Sequence, residues 1–202
     1  MSQVYCDIGI SLDGFAAGPN QTLEKPFGEG VGDDAERLHK WRFDEPEKHA
    51  AVLEHITDAG AFIMGRNMFT PGRGAWDESW TGWWGDDPPY HAPVFVLTHH
   101  AREPVQKQGG TTFHFVTDGI ESALAQAREA AGDRDVAIAG GPQTINQYLA
   151  AGLIDELRLH VAPVIVSAGE RLFDGVGSLT LEPLEEPWGT ALVTHLRFRV
   201  SR

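Results

Sequence analysis

Val136-Ala137-Ile138-Ala139-Gly140-Gly141-Pro142-Gln143-Thr144 is the stretch on which the fold turns. Four small apolar residues make a buried strand, two glycines end it, and a helix begins at once. Pro142 suits the first helical position, where its missing N–H costs nothing and its ring presets φ. Ile145, Tyr148 and Leu149 recur at helical spacing until Gly152 stops the helix. Lacking Cβ atoms, Gly140 and Gly141 let the backbone approach a ligand closely. The helix start also offers unpaired N–H groups and a partial positive charge to a phosphate. Since Pro142 cannot donate, the donors would be the amides of Gly141, Gln143 and Thr144. An ordinary strand-to-helix turn needs the same residues. The six-residue dinucleotide fingerprint Gly-x-Gly-x-x-Gly and the P-loop Gly-Lys-Ser/Thr are both absent.

Strand and helix alternate outward from this point. Upstream, Val4, Cys6, Ile8 and Ile10 keep the period of a strand, and Ser11-Leu12-Asp13-Gly14 turns the chain. Residues 18–32 read as a long surface loop. Pro46 opens a helix carrying His49, Val52, Leu53 and Ile56 on one face, up to Gly60. A buried strand over 61–64 runs into a helical turn at Gly65-Arg66-Asn67-Met68-Phe69. A second long loop spans 70–93, and further strands are expected at 94–97 and 112–116. Asp118 is placed to cap the next helix, which carries Ile120, Leu124, Ala127 and Ala131 and closes at Gly132. Beyond 152 the pattern is strand after strand: Leu157, Leu159 and Val161 alternate, as do Leu192, Leu196, Phe198 and Val200. The alternation over 46–152 favours parallel strands covered by helices, and the end looks antiparallel. The expectation is one α/β domain over residues 1–202 with a mixed, mostly parallel sheet.

Composition narrows the function classes. Sixteen Lys and Arg against 29 Asp and Glu leave a net charge of −13, which argues against nucleic acid and anionic membranes as partners. A small anionic ligand remains compatible, because local backbone dipoles can outweigh net charge. The single cysteine, Cys6, excludes a disulfide framework and a Cys-rich zinc site. The N-terminal residues lack a signal-peptide pattern and no apolar run approaches a membrane span, so a cytoplasmic protein is expected. No metal site is expected from the nine histidines. His99 and His100 are adjacent and would point to opposite faces of a strand, and His39, His49 and His55 lack the acidic partners of zinc motifs.

Two more strand ends have the character of the first. Phe62-Ile63-Met64-Gly65-Arg66-Asn67 sets an Arg at a helix start, where its planar fork suits a phosphate. Val96-Leu97-Thr98-His99-His100 ends in a hydroxyl and two imidazoles. In open α/β sheets ligands bind beyond the carboxyl ends of the strands, and a dinucleotide needs several such anchors.

These strand ends, in this order, resemble the dihydrofolate reductase-like fold, and more closely the RibD C-terminal domain family of riboflavin-biosynthesis reductases. The resemblance spans about residues 3–200. It is carried by Ser11-Leu12-Asp13-Gly14, by Met64-Gly65-Arg66 with Phe69, and by Gly140-Gly141 followed by Asp155-Glu156-Leu157. Ala162-Pro163-Val164 and Arg171-Leu172-Phe173 complete the set, and Ser167 stands where the family usually has glycine. It implies NADPH binding and hydride transfer to a small heterocyclic or conjugated substrate. By position, Gly65, Arg66 and Asn67 would hold the pyrophosphate and adenosine ribose, and Thr98, His99 and His100 would lie near the 2′-phosphate. Gly140, Gly141, Gln143, Thr144 and Ile145 would cradle the pyrophosphate. Ile10 and the loop after Asp13 would line the nicotinamide side. The resemblance also implies a cis Gly140–Gly141 peptide and a homodimer formed through the C-terminal strands. Deaminase chemistry is excluded, because His-x-Glu and Pro-Cys-x-x-Cys are missing.

A proton donor is harder to place. Folate reductases use a helical carboxylate after the first loop; Asp44 and Glu45 stand nearby but read better as caps for the helix at Pro46. Asp13 is the first catalytic candidate, although Asp before Gly is also a common turn residue; Asp77 is a weaker one. Trp76, Trp80 and Trp84, with Trp83 and Tyr90, share one loop. They would stack on a planar substrate or, alternatively, seal a flank of the sheet. The alternative to a reductase is a non-catalytic dinucleotide- or ligand-binding domain on the same scaffold.

Overall fold

The computed structural model describes residues 2–32, 36–70, 72 and 74–201. The chain opens with β1 (Val4–Ser11) and β2 (Phe15–Ala17), then α1 (Glu36–Asp44), a 3-10 turn over Pro46–His49 and α2 (Ala50–Thr57). β3 (Ala61–Gly65) leads into the single turn α3 (Arg66–Phe69), and β4 (Pro93–Leu97), β5 (Val105–Gln106) and β6 (Thr112–Val116) follow the long loop. Next come α4 (Ile120–Ala131), β7 (Val136–Gly140), α5 (Pro142–Ala151) and β8 (Glu156–Ala162). β9 (Glu170–Arg171), β10 (Thr180–Pro183), β11 (Trp188–Thr190) and β12 (Val193–Ser201) finish the chain.

One ten-stranded sheet runs β10-β12-β8-β1-β7-β3-β4-β6-β5, with β11 also on β12. The six strands from β8 to β6 are parallel, as the helical crossovers require. β12 joins β8 antiparallel and β5 joins β6 antiparallel, so the mixed, mostly parallel α/β reading holds. β2 and β9 form a separate two-stranded ribbon. Among the described residues no helix is long and apolar enough to cross a membrane.

The period of β1 divides the interior. Val4, Cys6, Ile8 and Ile10 face a core built with α4 and α5, where Leu124, Ala127, Tyr148 and Leu149 are buried. On the opposite face Tyr5, Phe62, Met64, Val94, Val96 and Phe113 form a second core, closed by Phe69 and Tyr90 and flanked by Trp76, Trp80 and Trp84. Asp7 and Gly9 have the parity of Tyr5. That second face is therefore where polar side chains enter the sheet.

The local expectations mostly hold, with instructive exceptions. α1 lay outside the sequence reading: of its nine residues only Leu38 and Trp41 are buried, too few for a periodic signal. Gly119, at φ 94°, starts α4 without a side-chain cap, and Asp118 accepts a bond from Thr117 instead. Asp44 and Glu45 do not cap either. Asp44 pairs with Lys40, and Glu45 pairs with Lys48 at 2.5 Å.

Candidate active site

A cleft of about 970 Å³ crosses the carboxyl ends of β3, β4 and β7 and continues along the second face of the sheet to α1. Its walls have two chemical characters. At the strand ends, Gly65, Arg66, Asn67, Thr98, His99, His100, Gly140, Gly141, Gln143 and Thr144 all line the cleft. The three separate strand ends thus meet in one site.

Backbone geometry explains the glycines there. The Gly140–Gly141 peptide is cis, and Gly140 has φ 131°, which side chains on an L-residue rarely tolerate. A Cβ on Gly65 would stand 2.3 Å from Thr144 Oγ1, so β3 and α5 touch only because residue 65 is glycine. A Cβ on Gly141 would meet nothing within 4 Å and would project into open space. The N–H of Thr144 already donates to the Gly141 carbonyl at 2.9 Å, leaving the amides of Gly141 and Gln143 of the expected three. Beside them, Thr98 Oγ1 accepts the His100 N–H at 3.1 Å and sets the turn after β4. Glycine-lined backbone, open amides at a helix start, an Arg and two exposed imidazoles fit a dinucleotide phosphate group.

Trp76 and Trp80 do not line the cleft; they brace its wall. The Arg66 guanidinium carbon lies 4.0 Å over the Trp76 ring, and Trp76 Nε1 donates to the His100 carbonyl at 2.8 Å. Trp80 Nε1 donates to the Phe69 carbonyl at 2.8 Å. The flank-sealing alternative describes both. Trp84 does line the cleft, as does Trp83, and it stacks on Phe113 with ring centroids 5.7 Å apart.

Three other candidates are corrected. Ile10 is a core residue, and Ile8 and Gly9 line the cleft in its place. Ile145 is fully buried in the α5 core. Asp13 is not on the cleft wall: it accepts from Ser11 Oγ at 2.6 Å, Val166 N at 3.1 Å and Ser167 N at 2.8 Å. The Ser11 hydroxyl first, then those amides, hold its carboxyl below the ordinary range. An acid so stabilised in its ionised form is a clamp between two loops and a poor proton donor. Asp77 is likewise spent on Ser79, whose hydroxyl donates at 2.6 Å.

The α1 end of the cleft holds what sequence reading missed. Asp7 from β1, His160 from β8, and His39, Trp41 and Arg42 from α1 line it. Asp7 Oδ1 contacts His160 Nε2, while its Oδ2 is buried and has no hydrogen-bond partner among the described residues. Burial pushes the His39 imidazole down to about 4, with Arg42 and His160 adding to the effect. A polar residue at an inward strand position was the available signal: Asp7 stands among the apolar residues of β1, and His160 shares its face of β8 with Glu156 and Arg158. Among the described residues no cluster of His, Cys, Asp and Glu has the geometry to hold a metal ion.

The fold recurs in known proteins. A putative riboflavin biosynthesis protein from Shewanella sp. PV-4 superposes with TM-score 0.65 at 21% identity, covering 100% of both chains. The riboflavin biosynthesis reductase of Saccharomyces cerevisiae gives TM-score 0.57 at 15% identity, over 100% of this chain and 89% of that one. Dihydrofolate reductase from Enterococcus faecalis, complexed with NADP(H), gives 0.56 at 13% identity over 99% and 97%. A family model described as the RibD C-terminal domain matches residues 2–198. The ordered strand-end motifs, the mixed sheet and this end-to-end match agree, and the chain belongs to the RibD C-terminal domain family.

Proposed function

We propose that this chain is an NADPH-dependent reductase that transfers hydride to a small heterocyclic or conjugated molecule held at the α1 end of the cleft. The observation that carries the reading is the continuity of the cleft. A phosphate-compatible end and an acidic, imidazole-lined end share one cavity, as a hydride donor and its acceptor must. The printed names of its structural neighbours, a riboflavin biosynthesis reductase and an NADP(H)-bound dihydrofolate reductase, support it.

When bound, the dinucleotide supplies the hydride. This chain's residues position it and manage the proton. The amides of Gly141 and Gln143 would hold the pyrophosphate, with Arg66 stiffened by Trp76. Thr98, His99 and His100 would face the 2′-phosphate. Trp83 and Trp84 would cover the substrate, and Asp7, which lines the α1 end of the cleft, would be the carboxylate that serves it. We further propose that residues 1–202 work as one domain and pair as a homodimer through β10 and β12, a light-scattering mass of two chains being the supporting result.

Titration with NADPH and then NADH, read by quenching of tryptophan fluorescence, tests the reading. Micromolar binding, tighter for NADPH, is expected. Arg66→Ala should weaken it at least tenfold, since a charge-assisted phosphate bond contributes about 1.5–3 kcal/mol and 1.4 kcal/mol is tenfold. Binding of neither cofactor would remove the assignment. Binding without oxidation across a screen of heterocycles would favour a non-catalytic binding domain.

A further inference from the structure

Buried titratable side chains from four separate elements form one hydrogen-bonded row beneath the α1 end of the cleft. Asp7 Oδ1 contacts His160 Nε2, His160 Nδ1 lies 2.7 Å from His195 Nδ1, and His195 Nε2 lies 2.8 Å from His49 Nδ1. His49 Nε2 then faces Glu45 Oε2 at 3.7 Å. The imidazoles are 0–4% exposed and the Asp7 side chain 6%, whereas that of Glu45 is 19% exposed. Trp41 covers the row, its ring centroid 5.1–5.2 Å from each imidazole. Apolar residues of the same volume would pack here at no desolvation cost, so the polar row calls for an explanation other than stability.

Hydrogen counting supplies one. Each nitrogen-to-nitrogen contact needs one hydrogen, neither none nor two. With Asp7 ionised, His160 carries its hydrogen on Nε2, His195 and His49 carry theirs on Nδ1, and His49 Nε2 is bare. With Asp7 protonated toward His160, every hydrogen sits on the opposite nitrogen and His49 Nε2–H points at Glu45. Both arrangements complete every bond with all rings neutral, and they differ by one proton. At its ends three buried atoms have no hydrogen-bond partner among the described residues: Asp7 Oδ2 at one, and His49 Nε2 with the facing Glu45 Oε2 at the other.

We propose that this row is a proton path that refills Asp7 from solvent at Glu45, and that Asp7 passes the proton through Oδ2 to the substrate. The substrate end rests on the reductase reading above. In the step, one atom of the substrate double bond receives the hydride from the reduced dinucleotide. The adjoining atom takes a proton as the Asp7 Oδ2–H bond breaks. The carboxylate then takes the His160 Nε2 proton on Oδ1, His160 takes the hydrogen of His195, and His195 that of His49. His49 takes one proton from solvent by way of Glu45. One hydride and one solvent proton are consumed for each double bond reduced. A half-turn of the carboxyl returns its hydrogen to Oδ2. Each ring regains its first tautomer by losing a proton from one nitrogen to solvent and taking one from solvent on the other when the row opens.

The titratable groups that act on Asp7 are Tyr5 and Cys6 on its own strand, Arg158 and His160 on β8, His195 on β12 and Arg42 on α1, and His39 shares its cleft wall. Lys48 and Thr190 hold the Glu45 end. Burial and the neighbouring rings push His195 down to about 4, which keeps the middle of the row neutral near pH 7.

The test needs no substrate. Protein labelled with 15N-histidine and 13C-aspartate is followed between pH 4 and 9 by long-range 1H–15N correlation, with NADPH titrated into the same sample. The expected result is that all three imidazoles exchange tautomer together, at one midpoint shared with the Asp7 carboxyl, and without an imidazolium signature at that step. In His195→Phe the two ends should titrate separately; should that variant not fold, the wild-type spectra decide alone. Imidazoles that charge one by one, or keep their tautomers while Asp7 titrates, would overturn the path. A concerted switch without dinucleotide binding would support the path and overturn the reductase reading, and independent imidazoles with tight NADPH binding would do the reverse.

Discussion

Gly65 stands where three pieces of the site converge, and its missing methyl group has a measurable value. A Cβ there would overlap Thr144 Oγ1 at 2.3 Å, so Thr144 must leave its rotamer or the start of α5 must move. Gly65→Ala should cost about 1–3 kcal/mol through overpacking and displace the start of α5. Chemical denaturation reads the first effect and NADPH titration the second, expected as a tenfold or greater loss of affinity. Adding Thr144→Ala removes the obstructing hydroxyl and should recover most of both, whereas a loss that persists would place the fault elsewhere. At this scale the strand ends were legible because glycine, proline and the residues between them report local backbone geometry. Asp7, His160, His195 and His49 were not. Their contacts span 153, 35 and 146 positions, and no local spacing encodes such a meeting.

The elements differ in the same way. β7 and α5 announce themselves through a run of small apolar residues and a helical period, whereas α1 presents mostly charged side chains and sets only Leu38 and Trp41 inward. Its attachment therefore rests on few contacts, and the indole of Trp41, 1% exposed, is the principal one. Trp41→Ala should cost about 3–5 kcal/mol by the usual cavity penalty, seen as a lower midpoint in denaturant. Trp41→Phe should lose less than half of that. A variant that melts as the parent does would show that α1 is held by something other than its indole. The aromatic loop shows a limit of composition: five large rings in one segment suggested a substrate platform. In the structure Trp76 and Trp80 instead use their N–H groups to fasten the loop to backbone carbonyls of His100 and Phe69.

For the whole molecule, pH should act through buried imidazoles before it acts through carboxylates. His39 and His195 are both held down to about 4 in the folded chain, burial being the first cause for each. Unfolded, they titrate near about 6.5. Below that pH the unfolded chain binds more protons, so stability should be level above about pH 7 and fall as pH drops toward 4. Relief of self-repulsion in a chain of net charge −13 acts in the opposite sense, and physiological salt screens it beyond roughly 8 Å. Thermal melts at constant ionic strength should therefore decline from pH 7 to 4.5, less steeply in His39→Gln; a midpoint that rises on acidification contradicts the account.

β12 is the last strand of the sheet, yet it lies beside β8 and carries the middle ring of the imidazole row. Every backbone and side-chain group at the phosphate-compatible end has left the ribosome by Thr144. The path from Glu45 toward Asp7 stays broken for the next fifty or so residues, until His195 is delivered. During synthesis the phosphate-compatible end is thus complete in sequence while the buried row still lacks its centre, and the final strand acts as the keystone that joins them.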